Sequence, residues 1–160
     1  MSVSFSFLFR RIFLAWLLIC TSTSTLADVH DHISHRAYWE DTTAQATQQE
    51  AQAQHFTPYE GVLSNGYTSS ATWIQLEITP TQQTQADNKL VLRIRPIYLD
   101  DITLFDPLDA SSHPRHTGDQ TDYKTQEYKS LSHAFVIPAG NQPRTIWLRL
   151  KATSTSLMHV

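Results

Sequence analysis

Cysteine is nearly absent from this chain, and its absence limits both redox chemistry and catalysis. The single cysteine, Cys20, lies close to the N-terminus, so a disulfide framework is excluded. Glycine is also scarce, with four residues in 160, and none of them belongs to a Gly-rich phosphate loop. A nucleophile elbow and a helical pair of metal-binding histidines are missing too. We therefore expect no catalytic activity and no cofactor.

The chain also lacks an excess of positive charge and, after its first 27 residues, any long apolar run. It has 12 Lys and Arg against 15 Asp and Glu, a formal net charge of −3. Proteins that bind nucleic acid usually present a basic surface, so we expect no nucleic-acid partner. The residues after the first 27 suffice for one ordinary domain with one core.

Residues 1–27 have the layout of a secretory signal peptide. Arg10 and Arg11 precede an apolar run over residues 12–20, and a polar stretch follows and ends at Ala27, where we expect cleavage. The run is about half the ~20 residues of a spanning helix, which disfavours an uncleaved anchor. A bulky residue precedes Cys20, which disfavours a lipoprotein site. Cleavage would change the net charge from −3 to −5, and we expect a periplasmic location.

A polar segment over residues 28–36 predicts a flexible N-terminal tail. It contains His30, His32 and His35, and imidazoles at such short spacing are able to converge on a zinc or copper ion. A flexible tail that is rich in histidine explains the same residues. We therefore expect no metal site.

One short helix is predicted in the Thr-, Gln- and Ala-rich segment that ends at Gln54. Thr47 and Glu50 have the spacing of a capping box, and alanines follow them. A helix of fewer than three turns needs support from the rest of the fold. We therefore expect it to lie against a sheet.

Alternation of apolar and polar residues predicts an all-β fold of two layers. The first clear strand spans residues 71–79, where Ile74, Leu76 and Ile78 alternate with polar residues and a tryptophan. Further strands are predicted at residues 37–40, 89–95, 99–105, 127–138, 144–151 and, incompletely, 157–160. Between them we expect turns at residues 56–61 and 65–66, a hairpin connection at 80–88 and a long loop at 108–123.

Several short sequences occur along the chain in an order that resembles a known family. They are Tyr38-Trp39-Glu40-Asp41, Phe56-Thr57-Pro58, Asn65-Gly66-Tyr67, Ala71-Thr72-Trp73-Ile74-Gln75-Leu76, Leu90-Val91-Leu92-Arg93-Ile94, Leu99-Asp100-Asp101-Ile102-Thr103-Leu104-Phe105, Thr117-Gly118-Asp119 and Thr145-Ile146-Trp147-Leu148-Arg149-Leu150. The set resembles the type 2 extracellular domain of bacterial seven-transmembrane receptors with diverse intracellular signalling modules. It covers the chain from about Ala37 to its C-terminus.

The resemblance implies a periplasmic jelly-roll β-sandwich, similar to carbohydrate-binding modules, that acts as the sensor domain of a receptor. Family members continue into seven membrane helices and a cytoplasmic output module. This sequence ends at Val160, so we expect either part of a truncated or split receptor or a sensor domain working alone. The sandwich over residues 37–160 would then lack its last strand.

The polar faces of three predicted strands carry the residues of a candidate ligand-binding surface, namely Trp73, Arg93, Arg95, Trp147 and Arg149. If the strands share a sheet, these side chains form one surface of aromatic rings and guanidinium groups. Aromatic rings stack on sugars, and arginine donates paired hydrogen bonds to hydroxyls or carboxylates. We therefore predict a saccharide or a small acidic metabolite as ligand.

Other interpretations of the same residues stay open. The helix and the first strand would cover the surface if Trp73 and Trp147 formed a second small core with the arginine stems packed along it. The ligand would then bind among loop residues, of which Asp100, His116, Asp119 and Tyr123 are candidates. Alternatively, the surface meets a protein such as a membrane receptor, since aromatic residues and arginine also dominate interface hot spots.

Overall fold

Alternating apolar residues form ten strands in the computed structural model, which describes residues 31–80, 88–110, 113–153 and 155–160. In chain order the strands are β1 (Ile33–Asp41), β2 (Thr57–Pro58), β3 (Leu63–Tyr67), β4 (Ala71–Ile78), β5 (Lys89–Ile94), β6 (Asp101–Phe105), β7 (Arg115–Thr117), β8 (His133–Pro138), β9 (Arg144–Lys151) and β10 (Thr155–Met158). The predicted signal peptide and His30 of the histidine-rich segment lie outside the described residues.

The strands form two antiparallel layers. The larger layer is a six-stranded sheet in the order β2-β1-β4-β9-β6-β7. The smaller layer contains the pairs β5–β8 and β10–β3. These pairs meet where the backbones of Arg95 and His159 exchange two hydrogen bonds of 2.9 Å. Residues Asp31–Val160 thus form one compact unit.

The core lies between the layers and is built from the inward residues of each strand. Its large members are Ile74, Leu76, Ile78, Ile102, Leu104, Ile146, Leu148 and Leu150 from the six-stranded sheet and Leu92, Ile94, Phe135 and Ile137 from β5 and β8. Full burial of such a side chain contributes roughly 1.5–3 kcal/mol. The structure confirms the predicted all-β sandwich with one short helix.

The short helix, α1 (Gln48–Gln52), begins where the capping box predicts. The Thr47 hydroxyl accepts a hydrogen bond from the Glu50 amide at 3.3 Å, and the Glu50 carboxylate accepts one from the Thr47 amide at 2.8 Å. Two otherwise unpaired amides at the helix N-terminus are thereby satisfied. Ala51 is fully buried, so α1 packs on the protein as expected for so short a helix.

The predicted hairpin between β4 and β5 is wrong. β4 pairs with β1 and β9 in the larger layer, whereas β5 pairs with β8 in the smaller one. Both strands bury an apolar face, and these faces contribute to the core from opposite layers. Residues 80–88 therefore connect two layers, and residues 81–87 among them lie outside the described part.

Two further segments are strands where the sequence predicts other structure. β1 begins at Ile33, which pairs with Ile78, so residues 33–36 belong to the sheet and not to a flexible tail. Asn65 and Gly66 lie inside β3 and not in a turn. Gly66 has a φ of 65°, and the register against β10 shifts at this point. The glycine therefore serves a β-bulge, which needs the same positive φ as many turns.

The region between β6 and β8 differs most from the prediction. The predicted loop at residues 108–123 contains β7, which pairs with β6. The predicted strand at residues 127–138 begins only at His133, after a segment of bends and turns. β7 has three residues, and so short a strand leaves no visible alternation.

A buried ion pair joins β6 to β9. The Arg144 guanidinium donates two hydrogen bonds of 2.9 Å to the two carboxylate oxygens of Asp106, and both side chains are almost completely buried. The same guanidinium donates to the carbonyls of Pro138 and Ala139. This pair fixes the end of β8 and the start of β9 beside the last residue of β6.

Candidate ligand-binding cleft

The five predicted site residues do not form one surface. Trp73, Trp147 and Arg149 lie on the outer face of the six-stranded sheet, where Trp73 is directly opposite Arg149 in the pairing of β4 with β9. Arg93 and Arg95 lie on the opposite side of the sandwich, on the exposed face of β5. The condition for a joint surface, that the strands share a sheet, is therefore not met.

Trp73 is inaccessible to a ligand in this structure. Its side chain has 0% exposure, and its ring stacks on Phe105 with 5.5 Å between ring centroids and 25° between planes. Trp73 therefore belongs to a second, smaller core on the outer face of the sheet. This agrees with the alternative interpretation in which the face is covered.

Residues 42–54, which we call the covering segment, lie over part of this outer face. The segment starts in a turn fixed by the buried Asp41 carboxylate, which accepts hydrogen bonds from the Thr43 amide, the Thr43 hydroxyl and the Ala46 amide at 3.0, 2.6 and 2.9 Å. Burial alone would raise the pKa of Asp41, but these hydrogen bonds outweigh it and lower the pKa. The carboxylate therefore stays charged.

Arg149 attaches the covering segment to the sheet. Its guanidinium donates a hydrogen bond of 2.7 Å to the carbonyl oxygen of Ala44, a residue with a φ of 53°. The Asp101 carboxylate lies 3.4 Å from the same guanidinium, and Thr103 is opposite Arg149 on β6. Arg149 is thus engaged within the protein through both terminal nitrogens of its guanidinium.

Trp147 differs from Trp73 because it lines an open cleft of about 570 Å³. The cleft lies between α1, the end of β6 and the segment before β7. Its described lining contains Gln48, Gln52, Leu104, Phe105, Asp106, Pro107, Asp109, His113, Pro114, Thr145 and Trp147. The Trp147 indole N–H is buried without a hydrogen-bond partner among the described residues.

The cleft combines aromatic rings with polar side chains and has no Lys or Arg among its described lining residues. Phe105 and Trp147 supply the rings, and Gln48 and Gln52 supply amide donors and acceptors. Asp109 supplies a carboxylate, and burial raises its pKa although the nearby Arg115 guanidinium, 3.0 Å away, opposes the rise. The described lining therefore offers aromatic rings and hydrogen-bonding groups but no Lys or Arg side chain.

The candidate loop residues are dispersed and largely used in the fold. Asp100 accepts a short hydrogen bond from the Thr153 amide at 2.5 Å, and the Asp119 amide donates to the carbonyl of Leu99. The His116 Nδ1 atom lies 3.1 Å from the Thr103 hydroxyl. Tyr123 is exposed in a short 3₁₀ turn. These residues do not converge on one cleft.

The described residues contain neither a metal-binding cluster nor a membrane-spanning helix. In residues 31–80, 88–110, 113–153 and 155–160, no three His, Cys, Asp or Glu side chains are grouped so as to hold a metal ion. In the same part of the chain, no helix has the length and apolar character required to cross a bilayer.

Two layers around one core, with a cleft on an outer face, define an all-β sandwich domain. The chain belongs to the family described as 7TMR-DISM extracellular 2, whose model matches residues 34–160. This confirms the resemblance seen in the sequence and makes the domain an extracellular sensor domain of the seven-transmembrane receptor type. Such a family indicates a periplasmic or extracellular location and a non-catalytic role. No curated protein matches the chain.

Proposed function

We propose that this sensor domain binds a neutral saccharide in the cleft lined by Trp147. The observation that carries the proposal is that aromatic, amide and carboxylate side chains line one cleft of about 570 Å³. Ligand sites are typically concave, with apolar walls and a few polar groups that fix orientation. A pyranose ring presents one apolar face for stacking and a rim of hydroxyls for hydrogen bonds.

The charges around the cleft favour a neutral sugar over the acidic metabolite that the sequence leaves equally open. The two lining carboxylates are already paired with arginines, Asp109 with Arg115 and Asp106 with Arg144, and the described lining contains no other arginine or lysine. An anionic ligand would therefore enter without a free cation to receive it. Desolvating a charge without a partner is strongly unfavourable.

The test is calorimetric titration of the protein with neutral mono- and disaccharides, and with dicarboxylates for comparison. Trp147→Ala should abolish saccharide binding. Trp39→Ala is the matched control, because Trp39 lies on the same outer face, opposite Trp73 on β1, and does not line the cleft. Gln52→Ala, at an exposed lining residue, should weaken binding about five- to ten-fold without changing stability.

The outcomes separate the functions that the sequence leaves open. Binding of dicarboxylates but not of sugars would contradict the proposed ligand class. Absence of binding by either class would favour a protein-interaction module without a small ligand. Equal loss of affinity in the Trp39→Ala and Trp147→Ala variants would show that the saccharide does not bind in the cleft.

A further inference from the structure

The charges of the domain are distributed unevenly, and the pair of β5 with β8 carries positive charges only. Residues 88–98 and 128–138, which contain β5 and β8, hold four of the 12 Lys and Arg residues and none of the 15 Asp and Glu residues. The four are Lys89, Arg93, Arg95 and Lys129. All four are exposed, although the chain as a whole is acidic.

Three of these cations form a row along one strand face. Leu92 and Ile94 of β5 point into the core, so Lys89, Arg93 and Arg95 point outward. The two arginines are about 7 Å apart along the strand. In the described part of the chain, neither these three side chains nor Lys129 forms an ion pair, unlike the engaged Arg115, Arg144 and Arg149.

Exposed apolar side chains lie beside this row. Arg93 stands over the ring of Tyr128, 5.7 Å from its centroid, and Leu131 follows in the same segment with 96% exposure. Ile97, two residues after Arg95, is 60% exposed. The ring of His133 donates a hydrogen bond of 2.9 Å to the Ile97 carbonyl, which holds the two segments together.

We propose that this surface, made of Arg93, Arg95, Ile97, Tyr128, Lys129 and Leu131 and called here the basic-apolar surface, docks on anionic phospholipid. Unpaired cations attract the headgroups, and neighbouring aliphatic and aromatic side chains enter the interface. An acidic domain without such a surface would be repelled by an anionic bilayer. The occupant is a membrane because the family consists of extracellular domains of membrane receptors. The proposal is independent of saccharide binding.

The basic-apolar surface lies beside the point where the two strand pairs of the smaller layer meet. The backbone of Arg95 pairs with His159, the residue directly after β10. The last described strand therefore ends beside the basic-apolar surface. The saccharide cleft lies on the outer face of the other layer, so docking here would leave the cleft open to solvent.

The test is sedimentation of the protein with vesicles of phosphatidylglycerol mixed with phosphatidylethanolamine, compared with vesicles of phosphatidylcholine. We expect binding to the anionic vesicles only, and loss of binding at about 1 M salt, where the Debye length falls to about 3 Å. Replacing Arg93 and Arg95 together by Gln should lower the partition coefficient about 25-fold, about five-fold for each arginine. Leu131→Ser should lower it about ten-fold.

Lys151→Gln is the matched control, because Lys151 is an exposed cation at the end of β9 in the other layer. It should leave the partition coefficient unchanged. All variants share the same N-terminal segment, so any contribution of that segment to vesicle binding is equal in all of them. Unchanged thermal midpoints would confirm that the variants fold. Equal binding to both kinds of vesicle, no binding to either, or equal effects of Lys151→Gln and the double arginine replacement would overturn the proposal.

Discussion

Replacing Trp73 by alanine tests whether the outer face of the six-stranded sheet is a second core at this position. The side chain has no exposed surface and stacks on Phe105. Deletion of a fully buried aromatic side chain typically costs about 3–5 kcal/mol of the free energy of unfolding. We expect a loss in that range for Trp73→Ala, measured by urea denaturation with an unchanged m-value.

Trp73→Phe separates packing from hydrogen bonding at the same site. The indole N–H of Trp73 has no partner among the described residues, so its removal breaks no hydrogen bond. A phenyl ring keeps most of the stack on Phe105, and we expect a loss below about 1.5 kcal/mol. The reasoning fails if Trp73→Ala loses less than about 1 kcal/mol, or if it abolishes saccharide binding while stability is retained.

Three further predictions concern the supports of the cleft, each measured by chemical denaturation. Asp106→Ala should lose about 3–5 kcal/mol because it leaves the Arg144 guanidinium buried and unpaired, whereas replacing both residues by leucine should be nearly neutral; equal losses would contradict this. Ala44→Gly should gain up to about 1 kcal/mol by relieving the positive φ, and a loss would show that the turn is not strained. Asp41→Ala should lose about 1.5–3 kcal/mol at pH 7. Because the folded pKa of Asp41 is lowered, this stabilisation is present above the unfolded pKa and should vanish as the pH falls through the folded one; a loss that persists in acid would refute it.

Local sequence rules predicted some elements of this fold closely. Thr47 and Glu50 form the capping box expected from their spacing, and β9 has the predicted bounds, Arg144–Lys151. Both predictions depend on residues within one turn or one strand of each other. The chemistry that determines them is therefore contained in a short stretch of sequence.

Partners distant in sequence were not predictable in the same way. Alternation in β4 and β5 identifies two strands but does not distinguish neighbours in one sheet from partners across a core. The Arg144–Asp106 pair, whose members are 38 positions apart in the sequence, left no local signal. Asn65 and Gly66 show a third limit, because one positive φ serves a turn and a bulge equally well.

Only part of the candidate site was predictable, because its residues come from segments that are distant in the sequence. Alternation correctly places Trp73, Trp147 and Arg149 on one face, but it cannot show what lies over that face. The sequence also offers no signal for Gln48, Gln52 or Asp109 as lining residues, because they come from the covering segment and from the segment before β7. Exposed glutamines in a polar stretch are too common to be recognised as part of a site.

The covering segment explains how one face contains both a core and a cleft. Arg149 holds the segment at Ala44, and the face is closed over Trp73. Beyond α1 the cover ends, and Trp147 is left at an open cleft whose wall is formed by Gln48 and Gln52. A ligand on Trp147 would therefore contact the sheet and the covering segment together, and its binding energy would stabilise their association. Because Asp41 and Arg149 already fix the start of that segment, the ligand would add its effect at the helical end.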